Sequence, residues 1–165
     1  MSDANADADE AVETAGDLRD YVESPIIMAT VRVVSPFVFT YGLFVMFHGA
    51  DSAGGGFQGG VIVATVMLML GIAFGIDPLR EWVGESALVA LLVVGVAVFL
   101  GIGVGTVALG GGFLEYRVVG TELGVPDAVK YGIEAVELAI GVIVASTITG
   151  LFFAIDAGKD GGDEQ

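Results

Sequence analysis

Four long apolar runs constrain this chain more than any other feature of its sequence. A helix needs about 20 apolar residues to cross the hydrocarbon core of a bilayer, and lipid admits only segments that satisfy their own backbone hydrogen bonds. The runs lack the alternating polarity of membrane β-strands. We therefore expect an all-α integral membrane protein with four transmembrane helices, at residues 26–47, 59–76, 87–109 and 131–155.

The charge of the chain is concentrated at its ends. Of the 165 residues 55% are hydrophobic, yet the formal net charge is -15. The first 24 residues alone hold eight acids and one arginine, too polar a composition to form a core. We expect an acidic, disordered head at residues 1–24, a four-helix transmembrane domain at 25–156 and an acidic tail at 157–165. So negative a chain is not expected to bind nucleic acid, because phosphate recognition depends on Lys and Arg.

An even number of crossings places both termini, and the loop at residues 77–86, on one side of the membrane. The loops at residues 48–58 and 110–130 then share the other side. Basic residues accumulate in cytoplasmic loops, which favours a multi-pass protein of the cell membrane with both termini in the cytoplasm. The terminal side carries Arg19, Arg32, Arg80 and Lys159, and the opposite side carries Arg117 and Lys130.

The sequence contains no recognisable catalytic residues of an enzyme that acts alone. It has no cysteine and a single histidine, which excludes thiolate and multi-histidine metal sites. No set of nucleophile and base is recognisable. We expect no catalytic residues, no cofactor and no bound metal.

One arginine and two glutamates fall inside the apolar runs. Arg32 is expected to extend to the terminal side, or to pair there with Asp77 or Asp156. Glu134 and Glu137 are three residues apart on one helical face. For Glu134 we expect a surface pair with Lys130.

A polar cluster on the non-terminal side is the candidate ion path. Glu137 lies about 9 Å inside its run at helical rise, and a buried carboxylate in a membrane often marks an ion route. Histidine titrates near neutral pH, which suits proton transfer, although a lone histidine at a helix end is commonly only a hydrogen bonder. The cluster comprises Glu137, Glu134, Asp51 and His48.

A glycine cluster separates the first two runs. It resembles a dinucleotide-binding G-x-G-x-x-G motif, but membrane-length helices flank it where a soluble βαβ unit is required. We interpret it as a tight hairpin that packs closely against neighbouring backbone; its residues are Gly54, Gly55, Gly56, Phe57, Gln58, Gly59 and Gly60. Further pairs in small-xxx-small spacing, Gly71 with Gly75 and Gly101 with Gly105, predict close helix–helix packing.

These residues resemble a known family. The segments at residues 32–36 (Arg-Val-Val-Ser-Pro) and 41–42 (Tyr-Gly), followed by His48-Gly49 and the glycine cluster, are similar to the B subunit of Mrp-type (Mnh-type) multisubunit cation/proton antiporters. The resemblance covers residues 24–153. It departs from the family pattern at Ala50 and Ala53, where histidine and proline are usual.

The resemblance implies a small integral-membrane subunit of a complex that exchanges Na⁺ for H⁺. Its partners would be the other membrane subunits of the antiporter, within the lipid bilayer. The large subunits would carry most of the proton-pumping machinery, and this chain would pack against them and line part of the cation path. Two alternatives stay open: an energy-coupling subunit of a membrane-bound hydrogenase or related oxidoreductase, and a purely structural membrane scaffold.

Overall fold

The computed structural model describes residues 24–51 and 53–160. The expected acidic head, apart from Ser24, and residues 161–165 of the expected tail lie outside the described residues. Every regular element in the described part is a helix, in the order α1 (Pro25–Phe47), α2 (Gly56–Phe74), α3 (Ile76–Val83), α4 (Glu85–Ala108), α5 (Arg117–Leu123) and α6 (Ala128–Asp160).

Four of these helices are long and apolar enough to cross a membrane. They are α1, α2, α4 and α6, and each coincides with a predicted apolar run, so the four-helix prediction is confirmed. The protein is therefore a multi-pass membrane protein. The loop prediction for residues 77–86 is wrong in part: the short helix α3 occupies most of it, delimited by Gly75 (φ 96°) and Gly84 (φ 73°). A second short helix, α5, lies inside the other long loop.

The first helix begins at a local signal and continues through a proline. The Ser24 hydroxyl accepts a hydrogen bond from the Ile27 amide at 3.5 Å, and Pro25 occupies the first turn, where its missing N–H costs nothing. Pro36 stands within α1 and removes the donor for the carbonyl four residues earlier. The helix nevertheless continues to Phe47, as a membrane helix can when neighbours cover the gap.

The helix α6 is the centre of the bundle. It packs extensively against α2 and α4, and α1 packs mainly against α2 with a smaller contact to α6. The order across the bundle is thus α1, α2, α6, α4. Much of the outer surface of α1 and α4 is exposed apolar side chain, as expected for helices that face lipid or neighbouring subunits.

The crossing of α2 and α6 depends on two glycines one helical turn apart. A Cβ atom at Gly56 would collide with the carbonyl oxygen of Glu137, and one at Gly60 would lie 2.6 Å from the carbonyl oxygen of Gly141. The backbones therefore touch without side chains between them, the packing typical of small-xxx-small pairs in membranes. Met46 of α1 packs into the same place, against Gly59 and Gly141.

The glycine pairs singled out by spacing in the sequence have other roles. A Cβ at Gly101 or Gly105 would meet nothing within 4 Å, so close packing at this pair is not found within the described chain. Gly71 does pack tightly, against the ring of Phe152. Gly75, its predicted companion, instead ends α2 with a positive φ.

Arg80 of α3 joins three helices at one end of the bundle. Its guanidinium donates to the Phe153 carbonyl at 2.8 Å and lies over the Phe153 ring, 5.4 Å from the centroid. Its Nε lies 3.2 Å from Oε1 of Glu85, at ion-pair distance but without hydrogen-bond alignment. Asp156 and Asp77 follow at 3.7 and 3.8 Å. Asp77 is 88% exposed, so its pair adds little to stability.

We expect Arg80→Gln to destabilise the purified protein by about 1–3 kcal/mol, because the half-buried Asp156 and the Phe153 carbonyl lose their partner. Thermal unfolding in detergent measures the loss. Arg117→Gln is the matched control, since Arg117 is exposed and no described carboxylate lies within ion-pair distance of it. Equal stability of the two variants would contradict the role given to Arg80.

Candidate functional site

Glu137 lies in a notch formed by glycine backbone. It projects from α6 towards the connection between α1 and α2. A Cβ atom at Gly55 would lie 2.7 Å from its Oε1, and one at Gly49 would overlap its carboxylate. Gly54 and Gly55 have φ of 138° and 142°, values that glycine adopts readily and other residues do not. The chain can therefore place bare backbone against this carboxylate only because glycine occupies these positions.

One oxygen of this carboxylate has no protein donor. Oε2 of Glu137 is buried, and no hydrogen bond reaches it from the described residues. A buried carboxylate oxygen without a partner is costly, and such sites are candidates for binding a proton or a cation. Within residues 24–51 and 53–160, no group of three or more histidine, cysteine, aspartate or glutamate side chains is arranged to hold a metal ion.

Two residues near Glu137 influence its electrostatic surroundings. Glu134 lies one turn earlier on the same face of α6 and is half-buried. Tyr116, just before α5, packs its ring on Gly132 of α6. Burial raises the pKa of the Tyr116 phenol above its usual value, and the negative charge of Glu137 raises this pKa further. Tyr116 thus stays neutral and can donate a hydrogen bond.

Asp51 of the α1–α2 connection pairs with Lys130 in the first turn of α6. The Lys130 Nζ lies 2.5 Å from Oδ2 of Asp51, and both side chains are about half exposed. The predicted pair of Lys130 with Glu134 is wrong, because Lys130 turns to the α1–α2 connection instead. The pair borders an open groove of about 650 Å³ that Arg117 and Asp127 also line. Charged side chains of both signs therefore line this groove.

His48 lies beside the notch, with its ring along the last turn of α1. The imidazole stacks on Phe44 with ring centroids 4.2 Å apart, and its Nδ1 lies 3.2 Å from the Phe44 carbonyl oxygen. The next residue, Gly49, contacts the Glu137 carboxylate. The structure thus brings the backbone after His48, rather than a second acid, to Glu137.

The glycine cluster divides between a turn and a helix. Gly54 and Gly55 form the end of the turn, and α2 begins at Gly56. The helix therefore begins three residues before the predicted apolar run, and Gly56, Gly59 and Gly60 make the close packing expected of the cluster. In the first turns of α2, Phe57 and Gln58 are exposed, whereas Gly59 and Gly60 are buried in the helix crossing.

Arg32 lies at the other end of the bundle and does not belong to this site. Its guanidinium carbon is 5.1 Å from the centroid of the Phe74 ring, at the end of α2. Of the two alternatives expected for Arg32, the pairing with Asp77 or Asp156 is not found among the described residues, because both acids lie beside Arg80.

Three contributors to these sites were not predicted from the sequence. The Gly56–Gly60 pair has the small-xxx-small spacing, a signal that lay inside a cluster interpreted as a turn. Arg80 lies between Asp77 and Glu85 in the sequence, which hinted at a local ion pair. No sequence pattern pointed to Tyr116, because its contact with α6 is tertiary.

Comparison with known proteins bears on the whole bundle. Residues 26–150 match the model of a family described as a domain related to the MnhB subunit of the Na⁺/H⁺ antiporter. Proteins of Staphylococcus aureus strains Newman and JH1, provisionally named antiporter subunit mnhB2, are 32% identical to the chain over 60 residues. The aligned segment covers 36% of this chain and 43% of each relative, less than half the length of either.

Proposed function

The chain belongs to the family of domains related to the MnhB subunit of Na⁺/H⁺ antiporters, and from this premise we infer that it is a small subunit of a multisubunit cation/proton antiporter. It packs against the large transporting subunits and lines part of the cation path with Glu137. The other membrane subunits of such a complex are its partners, and Na⁺ and H⁺ are the ions it helps to exchange. It is not an enzyme.

The observation that supports this role most directly is the state of the Glu137 carboxylate. It is enclosed by glycine backbone, and its Oε2 accepts no hydrogen bond from the described protein. A carboxylate held in this way can take up a proton or a partly dehydrated Na⁺ and release it, because no strong protein donor competes for the oxygen.

The charged entrance suits the same role. Asp51 of the α1–α2 connection and Lys130 of α6 both line the open groove, so an arriving cation meets the Asp51 carboxylate only when the ion pair opens. Glu134 lies between this pair and Glu137 along α6. Asp51, Glu134 and Glu137 thus form an acidic route from water into the bundle, and His48 next to the notch is a further proton carrier.

Two alternatives make different predictions for the partners. An energy-coupling subunit of a hydrogenase would associate with subunits that carry redox metal centres. A purely structural scaffold would associate with antiporter subunits but tolerate the loss of each acid.

Copurification with the tagged full chain in mild detergent tests the assembly. We expect large multi-span antiporter subunits among the companions identified by mass spectrometry. A deletion of the gene should make the host sensitive to Na⁺, and the intact gene should restore growth. Companions with hydrogenase metal centres, or unchanged Na⁺ tolerance in the deletion strain, would contradict the proposed function.

A further inference from the structure

Arg32 is an arginine of the membrane domain to which the described residues supply no counter-ion. It is exposed on α1, and no carboxylate of the described residues lies within ion-pair distance of it. The acids considered as its partners from the sequence, Asp77 and Asp156, instead lie within ion-pair distance of Arg80. Its described partner is the face of the Phe74 ring.

The guanidinium of Arg32 extends to the end of α2. Arg32 is seven residues into α1, which is about 10 Å along the helix axis. Its head nevertheless reaches Phe74, the last residue of α2, after which the amphipathic α3 begins. A long basic side chain that extends to the interface in this way keeps its charge near lipid headgroups while its stem stays in the apolar layer.

An apolar groove adjoins the arginine. It has a volume of about 290 Å³, is open to the outside, and is lined by Leu70, Phe74, Gly75, Pro78, Leu79 and Trp82. Phe74 thus carries the guanidinium on its ring face and also forms part of the groove wall. Trp82 is 74% exposed, and tryptophan in such a position typically marks the level of the membrane interface.

We propose that Arg32 and this groove form a binding site for an anionic phospholipid. The phosphate pairs with the Arg32 guanidinium, and a segment of one acyl chain occupies the groove between α2 and α3. A partner carboxylate would satisfy the arginine alone. A phospholipid accounts for all three features. Its phosphate can pair with the guanidinium while its acyl chain contacts the apolar groove and the exposed indole. The site lies at the opposite end of α1 from Glu137, so it does not rest on the proposed function.

Fluorescence of Trp82 reports directly on the groove, because it is the single tryptophan of the chain. The full chain is reconstituted into phosphatidylcholine vesicles, and brominated phosphatidylglycerol or brominated phosphatidylcholine is then added. We expect the anionic lipid to bind beside Trp82 about fivefold more strongly than the zwitterionic one, the ratio expected for one basic residue at a lipid surface. The preference should shrink as salt rises.

Three variants locate the source of the preference. Arg32→Gln should bring the ratio close to one, Arg32→Lys should keep most of it, and Arg117→Gln, which removes an equal charge elsewhere, should leave it unchanged. Equal quenching by both lipids in the wild-type chain would overturn the proposal. A preference for the anionic lipid that survives Arg32→Gln would also overturn the proposal, whether or not this variant loses a copurifying subunit. If Arg32→Gln does not fold, a salt-independent preference in the wild-type and Arg32→Lys chains overturns it equally.

Discussion

Replacing Gly60 by alanine is expected to destabilise the bundle by about 1–3 kcal/mol, the usual cost of overpacking, and to lower the amount of assembled protein in the membrane. The new Cβ would lie 2.6 Å from the Gly141 carbonyl oxygen and 3.0 Å from Cβ of Val144. The first of these is backbone of a long helix, so α2 and α6 must move apart. The separation would also disturb Gly56, whose backbone touches that of Glu137 one turn away. Thermal unfolding of the purified chain and its yield in membranes measure the effect.

The same chemical change at an open position is the control. Gly101 in α4 and Gly150 in α6 are helical glycines at which an added Cβ meets nothing within 4 Å. Alanine has the higher helix propensity, so Gly101→Ala and Gly150→Ala should be neutral or slightly stabilising in the purified chain. If Gly60→Ala were as stable as these two, the close approach of α2 and α6 would not contribute to the fold.

The long helices were predictable because membrane insertion is decided by local composition. Each apolar run must satisfy its own backbone in lipid, so length and hydropathy fix its position to within a few residues. The short helix α3 was missed because eight residues that include Asp77, Arg80 and Glu81 have no membrane signal. The residues that delimit α3 are Gly75 and Gly84, and glycine is a helix-ending signal that can be read from sequence.

The predicted ion pairs failed for a common reason. The spacing along a helix favoured an ion pair between Lys130 and Glu134. The expected depth in the membrane favoured an ion pair of Arg32 with Asp77 or Asp156. In the structure Lys130 pairs with Asp51, and Arg80 pairs with Asp77 and Asp156. A local pair on a helix surface is worth only about 0.2–0.5 kcal/mol, so a partner delivered by the tertiary fold displaces it readily.

The candidate site was predictable in part. The depth of Glu137 in its apolar run identified it as the acid of interest, and the glycine cluster predicted a bare backbone close to other chain segments. That these two features meet could not be derived, because the contact depends on the crossing of α2 and α6. The structure places Gly49 and Gly55 against the Glu137 carboxylate, a contact that the sequence did not predict.

Glu137→Gln is expected to lower Na⁺/H⁺ exchange by the assembled complex by about a hundredfold or more, the lower end of the range for loss of a group that transfers protons. Glutamine has nearly the same size, so it fits the notch between Gly49 and Gly55. It cannot take up a proton at neutral pH, and it removes the charge that attracts Na⁺. Everted membrane vesicles with a pH-sensitive dye measure exchange when Na⁺ is added, and copurification of the other subunits verifies assembly.

Two further variants separate the charge of Glu137 from its position. Glu122→Gln removes an equal charge from the exposed surface of α5, outside the proposed acidic route, and should cost much less exchange. Gly55→Ala keeps the charge, but its Cβ would lie 2.7 Å from Oε1 of Glu137 and its φ of 142° is strained for alanine, so it should reduce exchange by displacing the carboxylate. Full exchange by an assembled Glu137→Gln complex would instead identify the carboxylate as a structural group, and the notch would then be a packing device of a scaffold subunit.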